Sequence, residues 1–136
     1  MAVYLANTGI LTVAAVDLSS LVTSVTINRA ADELEITSLG DSGHRYIKGL
    51  EASSITIDFI NDSATSKTLQ TLQTNWGSNV AVTFKQVDAV VSATNPLYTM
   101  TCLINNTTPV NGAVADLSTQ SLTWNVSGTI AVTTAP

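Results

Sequence analysis

Ser53-Ser54-Ile55-Thr56-Ile57-Asp58-Phe59 is the stretch that decides the fold. Ile55, Ile57 and Phe59 fall on one side of an extended chain, and Ser54, Thr56 and Asp58 on the other. That is the period-two pattern of a half-buried strand. The alternation recurs upstream. Over residues 21–28, Leu21, Thr23, Val25 and Ile27 share one face, and Val22, Ser24, Thr26 and Asn28 share the other. Over residues 32–39, Leu34 and Ile36 point one way, and Glu33, Glu35 and Thr37 the other. Arg29-Ala30-Ala31-Asp32 between them reads as a hairpin connection. Further strands are expected over residues 79–87, 97–105, 120–127 and 129–133, with a weaker one over 10–16.

One segment breaks the rule. Residues 64–76 do not alternate, and Leu69, Leu72 and Trp76 fall at i, i+3 and i+7, one face of a helix. Asp62 or Ser63 can cap its start, and Gly77 can end it in the left-handed conformation. The expectation is a mainly β fold, a β-sandwich or barrel-like pair of packed sheets, with one flanking helix at about residues 63–76. Trp76 is expected to complete the helix stripe in the core. Trp124 is expected in the core with Leu122 and Val126, and Cys102 with Met100 and Ile104. Three loops stand out. Residues 40–49 hold three glycines and concentrate His44, Arg45 and Lys48 with Asp41; residues 88–96 end in Asn95-Pro96; residues 105–118 contain Pro109 and Asn111-Gly112.

The chain has 136 residues, which predicts one domain over 1–136, with residues 1–16 an N-terminal arm or edge strand. Hydrophobic residues make up 45%, too many for a disordered chain, but charged residues only 11%, against about a quarter in ordinary soluble domains. A surface so poor in charge suggests extensive contact with other protein. Five basic residues against ten acidic ones argue against a nucleic-acid reader, which needs a basic patch. One cysteine excludes an internal disulfide and any Cys-rich zinc module. No apolar run is long enough for a membrane-spanning helix, so membrane insertion is not expected. Met1-Ala2-Val3-Tyr4-Leu5 lacks the basic region of a secretory signal, which makes cytosolic synthesis the expectation.

The chemical motifs are weak. Gly40-Asp41-Ser42-Gly43 looks like the nucleophile segment of trypsin-like proteases, but the chain's one histidine, His44, lies two residues after the serine and none lies upstream. Glu33 and Glu35 share a strand face about 7 Å apart. Such a pair can serve glycoside hydrolysis or bind a hard cation, yet it lacks a convergent third group and exposed aromatics. His44 alone does not make a metal site, since a borderline metal needs about three more donors. No cofactor, metal ligand or catalytic residue is assigned, and the expectation is a non-enzyme.

Several segments resemble the major tail tube proteins of long-tailed bacteriophages, in the short version of actinobacterial phages. They are Asp17-Leu18-Ser19-Ser20-Leu21-Val22-Thr23-Ser24-Val25, Ala31-Asp32-Glu33-Leu34-Glu35-Ile36-Thr37, Gly40-Asp41-Ser42-Gly43-His44 and Lys48-Gly49-Leu50. Further along come Ser92-Ala93-Thr94-Asn95-Pro96-Leu97-Tyr98-Thr99, Asn111-Gly112-Ala113-Val114-Ala115-Asp116-Leu117 and Leu122-Thr123-Trp124-Asn125-Val126-Ser127-Gly128. The resemblance covers most of the chain from Asp17 onward. It implies hexameric rings that stack into a hollow tail tube, through which DNA passes without specific binding during ejection. The implied partners are further copies of the chain and the tape measure, tail terminator and distal tail proteins. The implied location is the virion tail, after assembly in the host cytoplasm.

Two groups of residues are singled out on that reading. Asp41, His44, Arg45, Tyr46 and Lys48 are candidates for contacts between subunits or rings, the cations pairing with acids such as Asp17, Asp88 or Asp116 of a neighbour. Ser24, Thr26, Glu33, Glu35, Thr37, Ser54, Thr56 and Asp58 are candidates for the lumen, because they form polar faces without a cation. A capsid decoration protein or other virion module that does not polymerise is the alternative. A hydrolase using Ser42 or the Glu33/Glu35 pair is a weaker one.

Overall fold

The period-two segments fold as strands in a computed structural model that describes residues 9–135. In chain order the strands are β1 (Ile10–Val13), β2 (Val16–Asp17), β3 (Val22–Asn28), β4 (Ala31–Glu35), β5 (Tyr46–Glu51) and β6 (Ser54–Ile60). After the helix α1 (Thr68–Thr74) come β7 (Asn79–Lys85), β8 (Leu97–Leu103), β9 (Thr119–Asn125) and β10 (Ala131–Thr133). They form a five-stranded sheet in the order β10-β8-β7-β1-β2, a three-stranded sheet β3-β6-β9 and a separate pair β4-β5. The fold is therefore mainly β with one short α-helix among the described residues.

The first two sheets share one core. Leu11 and Val13 enter it from β1, Val82 from β7, and Met100 and Cys102 from β8; Ile55, Ile57, Phe59, Leu122 and Trp124 enter from β6 and β9. Alternate residues of each strand point inward, so the register of β6 between β3 and β9 (Ile57 opposite both Val25 and Leu122) carries the apolar face across the sheet. The Trp124 indole N–H is buried and donates to the Asn106 carbonyl at 3.3 Å, as a buried indole requires.

Several local expectations are corrected. Residues 29–32 are not a hairpin connection: β3 pairs with β6 and β4 with β5, so the chain runs straight through Arg29 and Ala30. Residues 40–49 are not all loop, because Tyr46–Glu51 is a strand. Val22 packs against the core rather than away from it, since a bulge between Val22 and Ser24 reverses its side. The helix covers Thr68–Thr74, not 63–76. Ser66 stands at a left-handed φ of 59° and Lys67 is extended, which delays the first helical turn. Asp62 caps only the preceding turn, accepting from the Ala64 N–H at 2.9 Å. The buried stripe is Thr68, Thr71 and Leu72, and Trp76, beyond the helix end, is 51% exposed. Gly77 does turn the chain at a positive φ of 75°, and its N–H reaches the Ile104 carbonyl. Of the expected N-terminal arm or edge strand, residues 1–8 lie outside the described residues; Ile10–Val13 is an inner strand, flanked by β7 and β2.

Candidate functional site

The β4-β5 pair is the part of the chain that the core does not explain. Its ladder continues that of β3 and β6: Asn28 faces Ser54, the Ala52 N–H donates to the Ala30 carbonyl, and Ala31 faces Glu51. One long antiparallel ribbon thus begins in the three-stranded sheet and ends as a free arm. A bulge in β5 sets Glu33 opposite Lys48, Leu34 opposite Ile47 and Glu35 opposite Tyr46. A Cβ on Gly49, within that bulge, would meet Asp32 Cβ at 3.0 Å and the Asp32 carbonyl at 3.1 Å, so any larger residue there must push β4 and β5 apart by a few tenths of an ångström.

The arm is amphipathic. One face carries Glu33, Glu35, Tyr46 and Lys48. The other carries Asp32, Leu34, Ile36, Ile47 and Leu50, and its four aliphatic side chains are 40–80% exposed. The alternation expected over residues 32–39 is present, but none of the described residues covers its apolar side. The polarity also inverts along the ribbon. By strand alternation, the apolar arm face continues the polar face of β3 (Ser24, Thr26 and Asn28), and Glu33 and Glu35 continue the core side of Val25 and Ile27.

The arm tip is braced from within. His44 Nδ1 pairs with Glu35 Oε2, and the Thr37 hydroxyl donates to the same oxygen at 2.8 Å while accepting from the Arg45 N–H. The bond from His44, followed by that from Thr37, holds the Glu35 carboxyl below its ordinary range. Asp41 Oδ2 accepts the Ser38 N–H at 2.8 Å, and Asp41 pairs with Arg45 at 3.3 Å; the Ser38 N–H is the main cause that lowers its carboxyl. Lys48 lies 3.6 Å from Glu51. His44, Arg45 and Lys48 therefore each have an acidic partner inside the arm. Tyr46 stacks obliquely beside His44, with ring centroids 6.2 Å apart.

The structure divides the remaining candidates into two sets. Ser24, Thr26, Ser54, Thr56 and Asp58 come together on the outer face of the three-stranded sheet, in the pairs Ser24–Asp58 and Thr26–Thr56. Sequence reasoning missed that β9 extends this face with Ser121, Thr123 and Asn125; the Thr56 and Thr123 hydroxyls are 3.0 Å apart. Asp58 is the one charged side chain among these strand residues. Glu33, Glu35 and Thr37 are not part of this face but lie on the arm, on the ribbon's opposite side.

The chemical motifs gain no support. His44 is engaged by Glu35, and no hydrogen bond joins it to Ser42. No group of three His, Cys, Asp or Glu side chains among the described residues is placed to hold a metal ion. Burial pushes the Cys102 thiol up to about 11, which keeps it protonated and unreactive. No helix among the described residues is long and apolar enough to cross a membrane. No protein-family model matches the chain, and no curated protein matches it.

Proposed function

We propose that this chain is a self-assembling structural protein of the tail tube type, whose copies form hexameric rings that stack into a conduit for DNA in a phage tail. The observation that carries the reading is the arm, a two-stranded ribbon with one largely apolar face that none of the described residues covers. An isolated hairpin is marginal in water, and exposed apolar surface of this kind marks a protein contact. The scarcity of charge over the whole chain agrees with a surface that meets other protein. The outer face of the three-stranded sheet suits a conduit wall, because hydroxyls and amides with one carboxylate hold no phosphate by charge.

On this reading no residue is catalytic, and tape measure, terminator and distal tail proteins are the contacts at the tube's ends. Negative-stain electron microscopy and sedimentation of purified protein over a concentration series test it. Rings or tubes are the expected result. Monomers or small closed oligomers at every concentration refute it, and closed trimers would favour a decoration protein.

A further inference from the structure

An open cleft of about 460 Å³ lies beside the free edge of β3, lined by Val25, Ile27, Phe84 and Tyr98 together with the polar Thr26, Arg29 and Gln86. Its four apolar side chains are half-buried. Resting on the assembly reading above, the geometry points to this cleft as the seat of the arm of a second copy, with Leu34 and Ile36 inserted against Val25, Ile27, Phe84 and Tyr98, and Asp32 paired with Arg29.

Three observations carry this docking. The chemistry matches: the arm's exposed aliphatic face with one carboxylate meets a cleft that offers Val25, Ile27, Phe84 and Tyr98 with one cation, Arg29. The charges match as well. Asp32 stands at the root of the arm's apolar face and Arg29 on the cleft, and neither makes an ion pair among the described residues. Finally, the arm cannot reach the cleft of its own chain. Arg29 lies three residues before Asp32, at the arm's own root, and strand alternation turns the apolar arm face away from the side on which Val25 and Ile27 project. A contact between this arm face and this cleft therefore joins two copies. Because arm and cleft are different surfaces, one copy can seat its arm on the next and leave its own cleft open, so the contact can propagate from subunit to subunit and close into a ring where the rotation allows.

Mixed cross-linking tests the docking. An Asp32→Cys chain and an Arg29→Cys chain, carrying different affinity tags, are mixed at assembling concentration and mildly oxidised; native Cys102 is buried and does not compete. The expected product is a disulfide dimer containing both tags. Charge reversal gives a second readout. Arg29→Glu alone and Asp32→Lys alone each raise the half-assembly concentration by about tenfold or more, and the double variant returns to within about threefold of wild type. Oligomers that form without the mixed dimer and ignore both reversals overturn this docking and leave assembly standing. A dimer of two Asp32→Cys chains in its place also overturns it, in favour of arm-to-arm pairing. A chain that stays monomeric throughout overturns both readings.

Discussion

Replacing Leu34 and Ile47 together by alanine separates the arm's role from that of the core. The two face each other across the β4-β5 ladder and are each about half exposed. Together they leave roughly one side chain's worth of apolar surface in water, worth about 1.5–3 kcal/mol if fully covered. Alanine retains part of that contact, so the expected loss is about 1–2 kcal/mol per docked arm, a factor of roughly 5–30 in the association equilibrium. The concentration at half assembly should rise accordingly in sedimentation velocity or light scattering. The melting temperature of the monomer should barely move, because neither residue belongs to the shared core. Ile57→Ala is the control. Ile57 is fully buried, and its truncation should cost about 2–5 kcal/mol and lower the melting temperature by roughly 6–20 °C. If Leu34→Ala/Ile47→Ala assembles at the wild-type concentration, the arm is not an interface. If it lowers the melting temperature as far as Ile57→Ala, the arm belongs to the core and the reasoning fails.

Gly49→Ala should disorder the arm without unfolding the body, raising hydrogen exchange across residues 31–51 while β6 to β9 stay protected; unchanged exchange in the arm would contradict the close approach to Asp32. Glu35 and Asp41 have lowered carboxyls in the folded tip, so the stability they contribute is fully present at neutral pH and is lost as pH falls through their folded values. NMR shifts of residues 36–45 should then change on acidification below the carboxylate range, and Glu35→Gln should remove the Glu35 share of that change. A thiol reagent should ignore Cys102 in the native protein and label it on unfolding; native labelling would show that β8 opens. In virions assembled with variant protein, Thr56→Lys with Asp58→Lys should slow DNA ejection, since each cation binds phosphate, while Glu33→Lys with Glu35→Lys should not. The reverse outcome would place the arm's charged face, rather than the three-stranded sheet, on the conduit.

The body of the fold was legible because its signal is local. Ile55, Ile57 and Phe59 alternate with polar residues, and the strand they predict occupies the centre of the three-stranded sheet. The helix was misjudged because apolar spacing alone cannot see Ser66 at positive φ, and the stripe that is buried includes two threonines, Thr68 and Thr71, which no hydrophobic pattern marks. β5 was hidden by composition: glycine and basic residues read as loop, yet Tyr46-Ile47-Lys48 pairs well with an acidic strand. The site was half legible. The alternation of Leu34 and Ile36 was visible, but an apolar face in sequence carries no information on whether its cover belongs to the same chain. Nothing in the local sequence marks Arg29, because its neighbours in the cleft include Phe84 and Tyr98, far away along the chain and brought near by the sheet packing.

The inverted polarity of the ribbon explains how one arm can be sticky without being indiscriminate. An exposed two-stranded ribbon is an aggregation hazard when both its faces and its edges are inviting. Here Glu33, Glu35 and Lys48 make the face that continues the core side a charged, solvated one, so two arms gain no apolar burial by stacking through it. His44, Arg45 and Lys48 are each committed to an acid of the same arm, which removes the free cations that would recruit arbitrary anionic partners. Only the opposite face, with Leu34, Ile36, Ile47 and Leu50, remains to be buried, and Asp32 at its root restricts acceptable covers to those that present a cation. A surface that is apolar on one side and charged on the other favours docking through its apolar side. That single directed contact, repeated by every copy, is what a closed ring needs and what a disordered aggregate lacks.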